Sequence, residues 1–201
     1  MNVLAILAGY LFGCFQTSYI ISKVIKKSDI RDTGSKNAGT SNMVMTFGWK
    51  LGFMTFLGDI FKIIIPMAIA KYYFNTSPML NLLLGLGAIL GHNFPFYMNF
   101  KGGKGTATTL GMLLILDYRI CIAISLILVI LALITNYIAL ASMIAIALLP
   151  LALYILKYDL NIVLISIFIP MLSVYVHRRN IKDMLSKKEK KISSVFKKKK
   201  N

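Results

Sequence analysis

Between Thr106 and Val176 the chain is one long apolar run, interrupted by Asp117-Tyr-Arg119, Thr135-Asn136 and Lys157-Tyr-Asp159. Such a run has few places to go. About 20 apolar residues at 1.5 Å rise each span a bilayer core, and within lipid every backbone N–H and C=O must be paired inside a helix or a closed barrel. The interruptions divide the run into 106–116, 120–134, 137–156 and 160–176, the first of them short. Upstream, Val3 to Ile21, Leu51 to Ala70 and Met79 to Phe96 each have the length of a span, the second despite a carboxylate, Asp59. No basic residue precedes Val3, and no small-residue cleavage site leads from it into a soluble domain. That segment therefore reads as a retained span and not as a signal peptide.

Composition removes the soluble alternative. The chain is 57% hydrophobic and only 15% charged, with a formal net charge of +16. In a soluble protein that charge would point to nucleic acid. Here Lys and Arg flank the apolar segments, so anionic lipid and phosphorylated substrates are the expected partners and nucleic acid is not. Cys14 and Cys121 lie in apolar segments without CxxC or metal spacing and read as small core residues; no metal site is expected.

Basic residues favour the cytoplasmic side of span ends. They collect between Lys23 and Lys50, at Lys101 and Lys104, and after His177. Placing all three groups on one side requires an even number of spans between successive groups. Two and then four satisfy this, giving an all-α integral membrane protein: a compact seven-helix transmembrane bundle with cytoplasmic motif loops, an external N-terminus and a cytoplasmic C-terminus. Residues 1–186 form the expected polytopic domain. Residues 187–201, with KKEKK and KKKK, form an expected disordered basic tail, in which each Lys near an anionic leaflet adds about 1 kcal/mol of attraction.

The usable chemistry sits in three polar islands. The first, Asp32 to Asn42, sets Gly34 and Gly39 among Ser35, Asn37, Thr40, Ser41 and Asn42. Glycines let successive backbone N–H groups converge on an anion; a polar loop capping a helix is the alternative. The second runs from Gly91-His92 through Lys101-Gly-Gly-Lys-Gly-Thr into an apolar helix. Close backbone approach, lysine and a helix N-terminus together suit a phosphate. It is not a nucleotide P-loop, because GxxxxGK[ST] is absent. The third is His177-Arg-Arg-Asn180, whose His177 and Asn180 would share a face on a continuing helix. Either histidine is a structural residue or a site residue by its own sequence context. Asp59 has a local partner in Lys62, so a structural ion pair is expected, with a direct substrate role as the alternative.

These residues resemble the bacterial acyl-phosphate:glycerol-3-phosphate acyltransferases, the PlsY family. The resemblance lies in Gly34-Ser-Lys-Asn-Ala-Gly-Thr-Ser-Asn42, in Gly91-His-Asn-Phe-Pro with Phe100-Lys-Gly-Gly-Lys-Gly-Thr-Ala-Thr108, and in His177-Arg-Arg-Asn-Ile181 with Glu189. It implies transfer of a fatty acyl group from acyl phosphate to the 1-hydroxyl of glycerol 3-phosphate, giving lysophosphatidic acid, without a cofactor or metal. It implies that Ser35, His92 and Asn180 surround the acyl carbonyl and phosphate. Asn37, Thr40, Asn42, Lys101, Gly102, Gly103, Lys104, Gly105 and His177 would bind substrate. It also implies a multi-pass protein of the bacterial cytoplasmic membrane, with a monomer as the default. Two mechanisms fit: a substrate phosphate takes the hydroxyl proton, or His92 activates Ser35 as a nucleophile. The chain departs from the family pattern at Met45, Ile63, Asp183 and Lys187, where Arg, Gly, Arg and Gly are usual. Met45 removes a bidentate phosphate partner and leaves open a divergent paralogue with another acceptor. A non-enzymatic phosphate-compound binder or transporter is the remaining alternative.

Overall fold

The structure, a computed structural model, describes residues 1–197, and every regular element among them is helical. All seven apolar segments form helices. Asn2–Lys26, Trp49–Tyr73, Pro78–Met98, Tyr118–Thr135 and Ile138–Ile155 are long and apolar enough to cross a membrane. Leu160–Val176 passes together with Arg178–Leu185, across a 51° bend, and Thr106–Leu116 is shorter than a span. The chain divides into two compact units, Met1–Leu116 and the residues from Asp117 onward.

The first unit contains α1 (Asn2–Gly13), α2 (Thr17–Lys26), α3 (Thr40–Phe47), α4 (Trp49–Ala68), α5 (Pro78–Asn93) and α6 (Thr106–Leu116). Its framework is a close contact between α1 and α5. A Cβ on Gly9 would collide with Leu84 O and one on Gly13 with Ala88, while on α5 a Cβ on Gly87 would strike Ile6 O and one on Gly91 Tyr10 O. Two small-xxx-small stripes thus let two backbones touch, which is how helices associate where no hydrophobic gradient separates protein from lipid. The first span breaks between Gly13 and Thr17, which frees carbonyls in a place where water is scarce. Side chains take them up: Gln16 Nε2 reaches Gly13 O at 3.5 Å, Tyr97 OH donates to Cys14 O at 2.8 Å, and Lys62 Nζ donates to Phe15 O at 2.9 Å. At the far end of α4, past Pro66, a π-turn at Ile69–Tyr73 carries Lys71, whose ammonium donates to Ile115 O and Leu116 O. That caps the carbonyl end of the short α6.

The second unit contains α7 (Tyr118–Thr135), α8 (Ile138–Ala147), α9 (Leu149–Ile155), α10 (Leu160–Ser166), α11 (Phe168–Val176), α12 (Arg178–Leu185) and α13 (Ile192–Lys197). Pro150 and Pro170 follow the breaks that divide its two later spans. α7 buries little and exposes Ile122, Leu126, Val129, Ile130, Leu133 and Ile134, an apolar face suited to lipid. α8 is apolar all round and mostly buried.

Within each unit, polar contacts join segments that two apolar spans separate in sequence. In the first, Arg31 Nη1 donates to Met98 O at 2.9 Å, across α4 and α5. In the second, Tyr158 OH donates to Asp117 Oδ2 at 3.1 Å at one end. At the other end Ile192 N donates to Asn136 O at 2.9 Å, and Asn136 Nδ2 to Ser193 Oγ at 2.9 Å. Within the expected basic tail, Ile192–Lys197 is therefore a helix tied to the α7–α8 turn; residues 198–201 lie outside the described residues. Asp117 also caps α7, and the Arg119 hydrogen bond holds its carboxyl down to about 2, while burial beside that carboxylate pushes the Tyr158 phenol up to about 12.

Candidate active site

The first island is a loop organised around one buried amide. Asn42, in the first turn of α3, accepts from Ser35 N at 2.8 Å through Oδ1, and its Nδ2 lies 3.0 Å from Ile30 O, Thr33 O and Asn37 O. Its side chain is thus spent on the loop, and it shapes the cradle without projecting into it. Gly34, at φ +59°, turns the backbone over Asn42, since a Cβ there would collide with Oδ1. This carries Ser35 to a half-buried position at the loop tip. Asn37 is half-buried beside Gly39, and Thr40 opens α3 with a buried hydroxyl that has no partner among the described residues. Met45 sits half-buried on the same helix. Below the loop, Arg31 forms a bidentate pair with Asp29 and lies over the Tyr19 ring, and its hydrogen bond holds the Asp29 carboxyl below the usual range.

The second island folds back onto the end of α5. Gly102 N donates to Asn93 O at 3.1 Å and Gly103 N to His92 O at 3.0 Å, while Tyr10 OH donates to Phe94 O and Gln16 Nε2 to His92 O, both at 2.8 Å. The carbonyls of His92, Asn93 and Phe94 at the helix end are thereby satisfied. This corrects the expected role of two glycines: the N–H groups of Gly102 and Gly103, offered to a phosphate by sequence reasoning, already cap α5. What the glycines supply is closeness. A Cβ on Gly102 would strike His92 O, and one on Gly103 would strike the His92 ring and Ala38 O. The stretch also meets the first island, Ala38 N donating to Gly102 O at 3.4 Å. Lys101 is exposed and Lys104 half-buried; Gly105, at φ +78°, leads into α6.

His92 lies where the two islands meet, 3% exposed in the last turn of α5. Its Nδ1 is 2.7 Å from Lys62 Nζ, which also bonds Asp59 Oδ1 at 3.1 Å. The expected Asp59–Lys62 ion pair is present, and both residues are buried. Three groups at the site escaped sequence reasoning. One is the reach of Lys62 to His92, from another helix. Another is Gln16, fully buried. The third is Asn93, 3% exposed, with neither amide atom partnered among the described residues and with Gly105 against it. A buried unsatisfied amide costs about 1–3 kcal/mol and calls for a reason. Its place directly after His92 was the available signal.

His177 and Asn180 belong to the second unit. His177 stands at the 51° bend between α11 and α12, so the helix does not continue straight from one residue to the other. His177 is buried, with Nδ1 2.8 Å from Ser173 O. A carbonyl only accepts, so Nδ1 carries a proton. Asn180 Nδ2 donates to Glu189 Oε1 at 2.7 Å. Among the described residues no group of three His, Cys, Asp or Glu side chains is placed to hold a metal ion.

Comparison with known proteins gives the same reading throughout the chain. A family model described as Glycerol-3-phosphate acyltransferase matches residues 3–187. Curated proteins named glycerol-3-phosphate acyltransferase are similar over almost the full length. That of Alkaliphilus metalliredigens is 36% identical over 192 residues, covering 96% of both chains. That of Clostridioides difficile is 36% identical over 194 residues, covering 94% of both. The fold is similar to the crystal structure of PlsY, an integral membrane glycerol 3-phosphate acyltransferase. Its glycerol 3-phosphate form matches with a TM-score of 0.86 at 33% identity over 94% of each chain. Its lysophosphatidic acid form matches at 0.84 and 31% identity over 97% of this chain and 98% of the other. An all-helical membrane chain whose glycine stretch and serine loop close on one buried histidine, and which matches these proteins from end to end, belongs to the glycerol-3-phosphate acyltransferase family.

Proposed function

We propose that this membrane protein acylates glycerol 3-phosphate in phospholipid synthesis, with a fatty acyl phosphate as donor and lysophosphatidic acid and phosphate as products. The observation that carries the reading is the meeting of the Ser35 loop with the Lys101–Gly105 stretch over buried His92. The 1-hydroxyl oxygen attacks the acyl carbonyl carbon, the carbon–oxygen bond to phosphate breaks, and a substrate phosphate oxygen takes the hydroxyl proton. Phosphate is already a good leaving group, so positioning and charge stabilisation suffice. Ser35, His92 and Asn180 line the carbonyl and phosphate in this proposal. Lys101 and Lys104 supply positive charge, and Asn37, Thr40, Gly105 and His177 complete the substrate contacts. Asn42, Gly102 and Gly103 act through the shape they give the cradle.

The motif loops face the cytoplasm of a bacterial cell membrane in this proposal, with an external N-terminus, a cytoplasmic C-terminus and a monomeric enzyme. Anionic lipids gather at the tail, where Lys187, Lys188, Lys190 and Lys191 line one open cleft. The test is purified protein in lipid with acyl phosphate and glycerol 3-phosphate. Lysophosphatidic acid and phosphate should form together, acyl-CoA should not substitute, and Lys104→Ala should lower turnover on the order of 100-fold. No turnover at saturating acceptor refutes the proposal, and use of acyl-CoA refutes its donor.

A further inference from the structure

We propose that Lys62 is a positioning residue that locks His92 as the neutral Nε2–H tautomer, making His92 a hydrogen-bond donor toward the substrate and not a base. The inference rests on the reaction proposed above only for what His92 faces.

A lysine ammonium has three N–H groups and no lone pair. Lys62 Nζ has three partners: Phe15 O at 2.9 Å, Asp59 Oδ1 at 3.1 Å and His92 Nδ1 at 2.7 Å. Phe15 O, freed by the break between α1 and α2, can only accept. Asp59 Oδ1 accepts as a carboxylate. The third N–H therefore needs a lone pair on His92 Nδ1, which leaves the ring proton on Nε2. The Asp59 carboxylate, 3.1 Å away, pairs with Lys62 as its ammonium. Asp59 Oδ1 lies 3.8 Å from Nδ1, too far for a hydrogen bond that would hold a proton there. Lys62, Asp59 and His92 are all at least nine-tenths buried.

The other side of the ring shows where the N–H acts. Nε2 lies against Gly103, at a point where a Cβ would also meet Ala38 O, on the line along which the serine loop and the glycine stretch touch. A donor there stabilises oxygen: the acyl carbonyl as it gains negative charge, or a phosphate oxygen. A serine–histidine dyad needs a lone pair at that nitrogen, and no Ser35–His92 hydrogen bond occurs among the described residues. The second histidine differs at that atom, since Nδ1 of His177 donates to Ser173 O.

The experiment is nitrogen NMR of full-length protein labelled with 15N-histidine in detergent micelles, with a His177→Gln sample to assign the two rings. His92 should show a pyridine-type Nδ1 and a protonated, pyrrole-type Nε2. A protonated Nδ1 in the wild type overturns the proposal whatever the turnover. The Nε2–H tautomer in a protein without acyl transfer supports the lock and overturns only the reaction assigned above. Lys62→Met should mix the tautomers and lower kcat at least about tenfold, with KM for glycerol 3-phosphate changed less than kcat. Because that variant leaves Asp59 buried and unpaired, the Asp59→Asn, Lys62→Met double variant removes both charges and should show the same mixing. An unmixed spectrum or an unchanged kcat in the folded double variant overturns the role given to Lys62.

Discussion

Asn42 has two amide hydrogens and three carbonyls within 3.0 Å of its nitrogen, and its oxygen takes Ser35 N. One side chain thus substitutes for the regular structure the loop lacks. Asn42→Ala should destabilise the protein by about 2–3 kcal/mol, because several buried backbone groups lose their partner together. Turnover should fall with it, since Ser35 loses its anchor; thermal denaturation in detergent beside kcat checks both. A variant of wild-type stability and activity would show that the loop holds without it. At this scale the sequence is informative where partners are local. The Asp59–Lys62 pair is legible from its i, i+3 spacing, and the loop's polarity from its composition. The contact of Lys62 with His92 joins residues 30 apart on different helices, and no local spacing encodes that.

The glycines of α1 and α5 show how an element is chosen by what must touch it. Gly9, Gly13, Gly87 and Gly91 recur at intervals of four, so each helix presents one bare stripe. The signal was present in the sequence, but hydropathy alone does not weigh it, because glycine barely changes the apolar average. Gly87→Leu should push α1 away from α5, and with it Gln16 and Tyr10, which hold the carbonyls at the end of α5. The expected result is a protein that still inserts but melts at lower temperature and loses activity. Limited proteolysis of membranes and a thermal shift measure this, and wild-type behaviour would mean the stripe is spare. The glycine stretch after α5 shows the opposite lesson. Its composition announces close approach, but whether Gly102 and Gly103 aim their N–H groups at a ligand or at a helix end depends on docking between elements, which sequence does not contain. The bend at His177 is equally silent, as neither Pro nor Gly stands there.

For the whole molecule, the seven apolar segments are legible because lipid selects directly for the property that hydropathy measures. In each unit, segments that two apolar spans separate in sequence meet at their ends. The molecule's least ordinary component is α6. At 11 residues and 1.5 Å per residue it is about 16 Å long, against a hydrocarbon core of about 30 Å. Lys71 covers its last carbonyls, but no side chain lengthens the helix. A crossing helix that short would leave a hydrophobic mismatch, which a bilayer relieves by thinning at a cost of fractions of a kcal/mol per Å. In vesicles of phosphatidylcholines with progressively longer chains, turnover should be highest in the thinner members and decline as thickness grows. A flat profile would mean that the surrounding helices absorb the deficit. A declining one would make an enzyme of lipid synthesis responsive to the thickness of the membrane its product helps to build.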